Sequence, residues 1–125
     1  MRHYLGISSR GPTTFRNIRM DDTGEPLLLI DENAVVILTI DFAEWLETGE
    51  TLEDVTATAR SCTIDVDFDE DEPSFTITIS NVTSNHDGDI TLMVEASSGA
   101  VYRGIIRVRR TNRYTDEALI FSDYV

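Results

Sequence analysis

Apolar and polar residues alternate through most of the middle of this chain. In residues 62–69, Ile64, Val66 and Phe68 fall on one side of an extended backbone and Asp65, Asp67 and Asp69 on the other. A period of two residues is the signature of a strand with one buried face. Residues 74–82 repeat it, with Phe75, Ile77 and Ile79 set against Thr76 and Thr78, and residues 53–61 set Val55, Ala57 and Ala59 against Thr56, Thr58 and Arg60. Two further runs, 89–97 and 100–110, each follow a tight-turn signal, Asp87-Gly88 and Ser98-Gly99. The run AVVILTIDF (34–42) is continuously apolar and rich in branched side chains, which predicts a strand covered on both faces. Short strands at this spacing, with turns between them, predict an all-β fold, an antiparallel β-sandwich.

One segment breaks the two-residue period. Phe42, Trp45 and Leu46 stand at i, i+3 and i+4, so a single helical turn over 41–48 would aim all three into the core. Asp41 and Glu44 have capping-box spacing, and Gly49 suits the left-handed conformation that ends a turn. The segment is predicted as a one-turn helical corner that plugs the sandwich with Trp45, a structural role for Asp41, Glu44, Trp45, Leu46 and Gly49.

The two ends lack this regularity. Residues 1–33 read as a basic N-terminal arm with a strand or hairpin, 34–110 as the sandwich, and 111–125 as a docking tail bearing Leu119, Ile120, Phe121 and Tyr124. Arms of this kind are expected to dock on a neighbouring polypeptide, or alternatively on the body itself. Residues 24–33 could pair back on the first strand or be donated to another chain by strand addition. Removing residues 1–20 or 115–125 is then expected to leave a folded monomer.

Charge sharpens the division. The chain carries 23 acids and ten basic residues, all ten of them arginine, for a net charge of −13. Residues 1–20 hold Arg2, Arg10, Arg16 and Arg19 and no acid, while 21–99 hold 20 acids and one base, Arg60. An acidic body of this kind repels polyphosphate, so no nucleic-acid partner is expected. Arginine is suited to fixed, bidentate protein contacts. Arg103, Arg107 and Arg109 share one side of the last strand, either bridging to neighbouring acidic strands or forming a basic stripe for another subunit. No run of 18 apolar residues or signal-peptide pattern occurs in the given sequence, and a soluble, cytoplasmically made protein without membrane contact is expected.

Catalytic chemistry lacks its parts. His3 and His86 are the only histidines, one in an end segment and one in a turn, and no serine elbow, zinc-protease helix motif or phosphate loop is present. Absence of lysine removes Schiff-base chemistry. No enzyme, cofactor or small-molecule substrate is expected, and Cys62 reads as core filler. The acidic run offers weak calcium candidates, Asp65, Asp67 and Asp69, which would need Asp87 and Asp89 from a second loop because carboxylates on one strand face stand about 7 Å apart.

The corner carries a family likeness. Asp41-Phe42-Ala43-Glu44-Trp45-Leu46, then Gly49-Glu50-Thr51-Leu52 leading into a Thr/Ala-rich strand, resembles the small Ig-like virion proteins of tailed bacteriophages, of the fiber-tail adaptor or neck type. The likeness spans about residues 34–110, including the Ser98-Gly99 hairpin and the IIRVRR strand. An early second-strand tryptophan and a Gly-Gly turn usual in that family are absent. The resemblance implies an Ig-like sandwich, a place in the virion at the neck, head-tail or fiber-tail junction, and partners that are other virion proteins and copies of the chain. A capsid decoration protein is the alternative, and a calcium-dependent host- or carbohydrate-binding module the second.

Overall fold

A computed structural model of the chain describes residues 2–21, 23–31 and 33–111. Ten strands make up the described structure: β1 (Arg2–Ser8), β2 (Gly11–Arg16), β3 (Arg19–Met20), β4 (Pro26–Asp31), β5 (Val36–Asp41), β6 (Leu52–Arg60), β7 (Thr63–Asp67), β8 (Ser74–Ser80), β9 (Gly88–Ala96) and β10 (Val101–Thr111). They form two five-stranded sheets, ordered β2-β1-β5-β8-β7 and β3-β4-β10-β9-β6. The protein is an all-β sandwich.

Alternation places the core. From the first sheet Leu5, Ile7, Val36, Leu38, Ile40, Phe75, Ile77 and Ile79 point inward, and from the second Leu28, Ile30, Ile90, Leu92, Val94, Ile106 and Val108 meet them. All are at most 3% exposed. Burial of each large aliphatic side chain stabilises by about 1.5–3 kcal/mol before conformational entropy is subtracted. Gly88 is required by closeness rather than by its backbone angle, because a Cβ there would run into the Val108 carbonyl across the β9–β10 ladder.

Three expectations change. The sheets are mixed rather than wholly antiparallel: β1 pairs with β5 and β4 with β10 in parallel. Both parallel pairs join segments far apart in sequence, which hairpin signals do not report. Second, residues 2–20 do not project as an arm. β1 sits inside the first sheet with Leu5 and Ile7 each 1% exposed, and residues 24–33 supply β4. Strand β4 pairs with β10 and β3 of its own chain, not with the strand over 34–42, which is β5 of the other sheet. Removing residues 1–20 would therefore take three strands out of the sandwich, β1 and β2 from the first sheet and β3 from the second. Third, β5 is a central strand covered on one face only; Ile37 and Thr39 on its outer face are half-buried, and Val35 before it is 59% exposed.

The corner is a turn rather than a helix, although its bonding is helical. The Trp45 and Leu46 amides both donate to the Phe42 carbonyl, at 3.0 and 2.9 Å. Phe42 is the wholly buried plug, stacked on Phe75 at 5.9 Å and met edge-on by Trp45 and Tyr102 at 5.4 and 5.3 Å. Trp45 and Leu46 pack against it half-buried. Asp41 caps the turn through the Ala43 amide at 2.9 Å, while Glu44 stands exposed. Gly49 takes φ 85° in a second turn, where the Glu50 carboxylate receives the Glu47 amide at 2.7 Å and the Ser98 hydroxyl. That pair of bonds ties the corner to the β9–β10 hairpin.

Candidate functional site

The most connected polar arrangement lies on the outer face of the second sheet. Alternation puts Val108 and Ile106 inward on β10, so Arg107 faces out, opposite Asp89 of β9 and Leu27 of β4. Its guanidinium donates to Glu25 Oε1 at 2.8 Å and stands 3.6 Å from Asp21 Oδ2 and 3.9 Å from Asp89 Oδ2. Asp89 in turn receives Arg60 of β6 at 2.7 Å. A charged row thus crosses the sheet from β6 through β9 and β10 to the turn before β4. Arginine suits this place because its planar fork serves several carboxylates at once. The hydrogen bond from Arg107 to Glu25, with the flanking carboxylates, raises the arginine further above its ordinary value. Asp21 is held below the usual carboxylate range by the Thr23 hydroxyl and by amides of its own turn.

The other predicted arginines are scattered. Arg103 is exposed on β10, and Arg109 is half-buried with one guanidinium nitrogen lacking a hydrogen-bond partner among the described residues. Arg2 and Arg16 lie on the outer face of the first sheet, where Arg16 stands over the Tyr4 ring at 5.8 Å. Tyr4 donates to Asp41 Oδ2 at 2.7 Å, and that bond pushes its hydroxyl pKa up. Arg10 occupies the β1–β2 turn, and Arg19 lies on β3. These residues do not gather into one basic patch. The tail residues Leu119, Ile120, Phe121 and Tyr124 lie outside the described residues.

The calcium candidates do not converge. Asp65 and Asp67 are exposed on β7 of the first sheet and Asp69 follows it, while Asp89 belongs to the second sheet and is committed to Arg60 and Arg107. Asp87 is held below the usual carboxylate range, chiefly by its hydrogen bond with Ser84. Among the described residues no group of three or more His, Cys, Asp or Glu side chains is placed to hold a metal ion.

Sequence reasoning passed over His3. Read at period two, His3, Leu5 and Ile7 form an inward row, and His3 is 4% exposed. Its Nδ1 lies 2.7 Å from the Asn17 carbonyl, and its Nε2 has no partner among the described residues. Asn17, at φ 59°, marks where the chain leaves the first sheet for β3, and its side-chain amide donates back to the Arg2 carbonyl at 2.9 Å. His3, Asn17, Ile18, Arg19, Leu27 and Leu29 line an open groove of about 400 Å³. His86 sits in an exposed loop beside Asn85, and Cys62 is half-buried with its thiol pushed up by desolvation, which suppresses the reactive thiolate. The two histidines and the thiol are thus held in separate hydrogen-bonding and packing environments.

No protein-family model and no curated protein matches the chain.

Proposed function

We propose that the chain is a non-enzymatic structural protein of a tailed-bacteriophage virion, acting at the neck, head-tail or fiber-tail junction through contacts with other virion proteins and with copies of itself. The observation that carries this reading is the corner over Asp41–Leu52. The residues that resemble the virion family are spent on packing and on turn bonds: Phe42 and Trp45 fill the end of the sandwich, Asp41 caps, and Glu50 clamps the neighbouring hairpin. The charged row on the second sheet fits the same reading. Its carboxylates and guanidinium groups are paired with each other across three strands and the turn before β4, which stiffens a face rather than furnishing a cleft.

Rigid faces suit assembly because little conformational freedom remains to be lost on association. The test is a reconstruction of the particle that carries the chain. Density matching the sandwich at the portal or tail junction is the expected result. Density on the shell at local threefold positions would make it a decoration protein instead, and absence from the particle would overturn the virion reading altogether. Removing residues 115–125 is expected to leave the sandwich folded and to block incorporation.

A further inference from the structure

Among the described residues four strands lie at sheet edges: β2, β7, β3 and β6. Open edges present unpaired backbone groups, and proteins protect them with short length, proline, bulges or charge. Three of the four are protected. β3 is two residues long, β2 contains Pro12 and pairs with β1 through an irregular register, and β7 has five residues with Asp65 and Asp67 exposed on it. β6 differs. It runs nine residues, and its centre, Val55-Thr56-Ala57-Thr58-Ala59, holds no charge, glycine or proline. Its register with β9 shifts once, between Leu52 and Asp54 at the start of the strand, and is regular from Asp54 to Arg60.

We propose that the free edge of β6 is a contact between two copies of the chain, paired antiparallel about Ala57. The sequence of the strand is self-complementary in that register. A two-fold axis through Ala57 sets Asp54 opposite Arg60, Val55 opposite Ala59 and Thr56 opposite Thr58, each twice. Directly opposed residues in an antiparallel pair share a face. The register therefore joins outward Thr56 to outward Thr58 and half-buried Val55 to half-buried Ala59. Sliding the strands by two residues destroys the match, placing Asp54 against Thr58 or Arg60 against Thr56. Asp54 is exposed and makes no ion pair among the described residues. The Arg60 side chain, 58% exposed, holds Asp89 through one nitrogen and keeps further donors for a second carboxylate. The product is a ten-stranded sheet continuous through both copies. The contact deepens the proposed assembly role by naming one self-interface, and it rests on that reading only for the premise that copies associate.

The test is sedimentation equilibrium of the full chain over a concentration series, at physiological salt or above so that the net charge of −13 on each copy is screened. Wild type is expected to approach twice 14.0 kDa. Asp54→Arg alone puts arginine against arginine at both ends, and Arg60→Asp alone puts carboxylate against carboxylate. Each is expected to weaken self-association about tenfold or more. An equimolar mixture of the two restores opposite charges at both ends and is expected to dimerise. Thr58→Lys, which leaves the Arg60–Asp89 pair intact, should also be monomeric while keeping the wild-type circular dichroism and melting temperature. A wild-type chain that stays at 14.0 kDa throughout overturns the proposal. So does an oligomer unchanged by all three variants, which would leave the virion reading intact. A chain absent from the particle but dimeric through β6 would instead overturn the virion role alone.

Discussion

Strands β6 and β7 follow one another in the chain, joined by the turn at Ser61 and Cys62, and each ends a five-stranded sheet on the same side of the sandwich. Their inner faces are alike: Val55, Ala57 and Ala59 on one and Ile64 and Val66 on the other are half-buried against the shared core. Their outer faces differ. β7 shows Asp65 and Asp67, with four more acids in the next five residues, whereas the middle of β6 shows only threonine. Like charges opposed across a strand pair are destabilising, so a second β7 is repelled from the first. Nothing comparable repels a second β6. Packing decides that both strands fold, and the outward residues decide which of them can accept another chain.

The largest expected effect tests whether the sheet behind β7 stands without its N-terminal strands. Deleting residues 1–20 removes β1, β2 and β3 and exposes the flanks of β5 and β4, so the product should lack the cooperative thermal unfolding of the full chain by circular dichroism. A folded product would mean that β1 is an accessory.

Next come the residues beneath each edge. Ile77 lies opposite Val66 in the β7–β8 ladder and Leu92 opposite Ala57 in the β6–β9 ladder; both are at most 1% exposed. Either truncation to alanine should cost about 2–5 kcal/mol in urea unfolding, because each leaves a cavity in one continuous core. A large loss at one site and none at the other would show that the two edges rest on separate supports.

Substitutions on the outer faces should barely alter stability, within about 0.5 kcal/mol, and should change association instead. Replacing Asp65 and Asp67 together by threonine removes the protection of β7. Concentration-dependent self-association, measured by light scattering, should increase. No increase would mean that β7 is closed for another reason.

The smallest effect is in pH. The Ser98 hydroxyl, and then the Glu47 amide, hold the Glu50 carboxyl below its ordinary value of 4.5. A depressed carboxyl contributes stability that is complete above the unfolded value and disappears as pH falls through the folded one. Glu50→Gln should therefore flatten part of the acid limb of melting temperature against pH, leaving alkaline behaviour unchanged. Burial raises the Tyr102 hydroxyl above 10.0, so its contribution is present below that pH and lost as pH rises further. Tyr102→Phe should flatten the alkaline side alone.

How much of this was legible depended on whether the signal was local. The rows Val55-Ala57-Ala59 and Phe75-Ile77-Ile79 lie within single strands, and alternation alone assigned their faces correctly. Phe42, Trp45 and Leu46 lie within one turn, and their spacing brought them together at the plugged end. β1 was missed because its inward row begins with His3 and is short, with Tyr4 and Gly6 rather than plainly polar residues between its members, and because its partner β5 joins it in parallel from more than thirty residues away. For Arg107, the pattern identified its face but not Asp21 and Glu25 as its partners, since the β4–β10 pairing that brings them near leaves no local trace. Edge position is likewise a property of the whole sheet. The symmetry of residues 54–60 was visible in the sequence, but its meaning depended on finding β6 at the end of the row.

The central claim is that β6 is the open edge and β7 the closed one. Amide hydrogen exchange measured at low and high protein concentration tests it most directly, because strand pairing between copies protects backbone N–H groups. Exchange across residues 54–60 should slow as concentration rises, while residues 63–67 exchange at a constant rate. Slowing confined to residues 63–67, or none in either strand, would contradict the account.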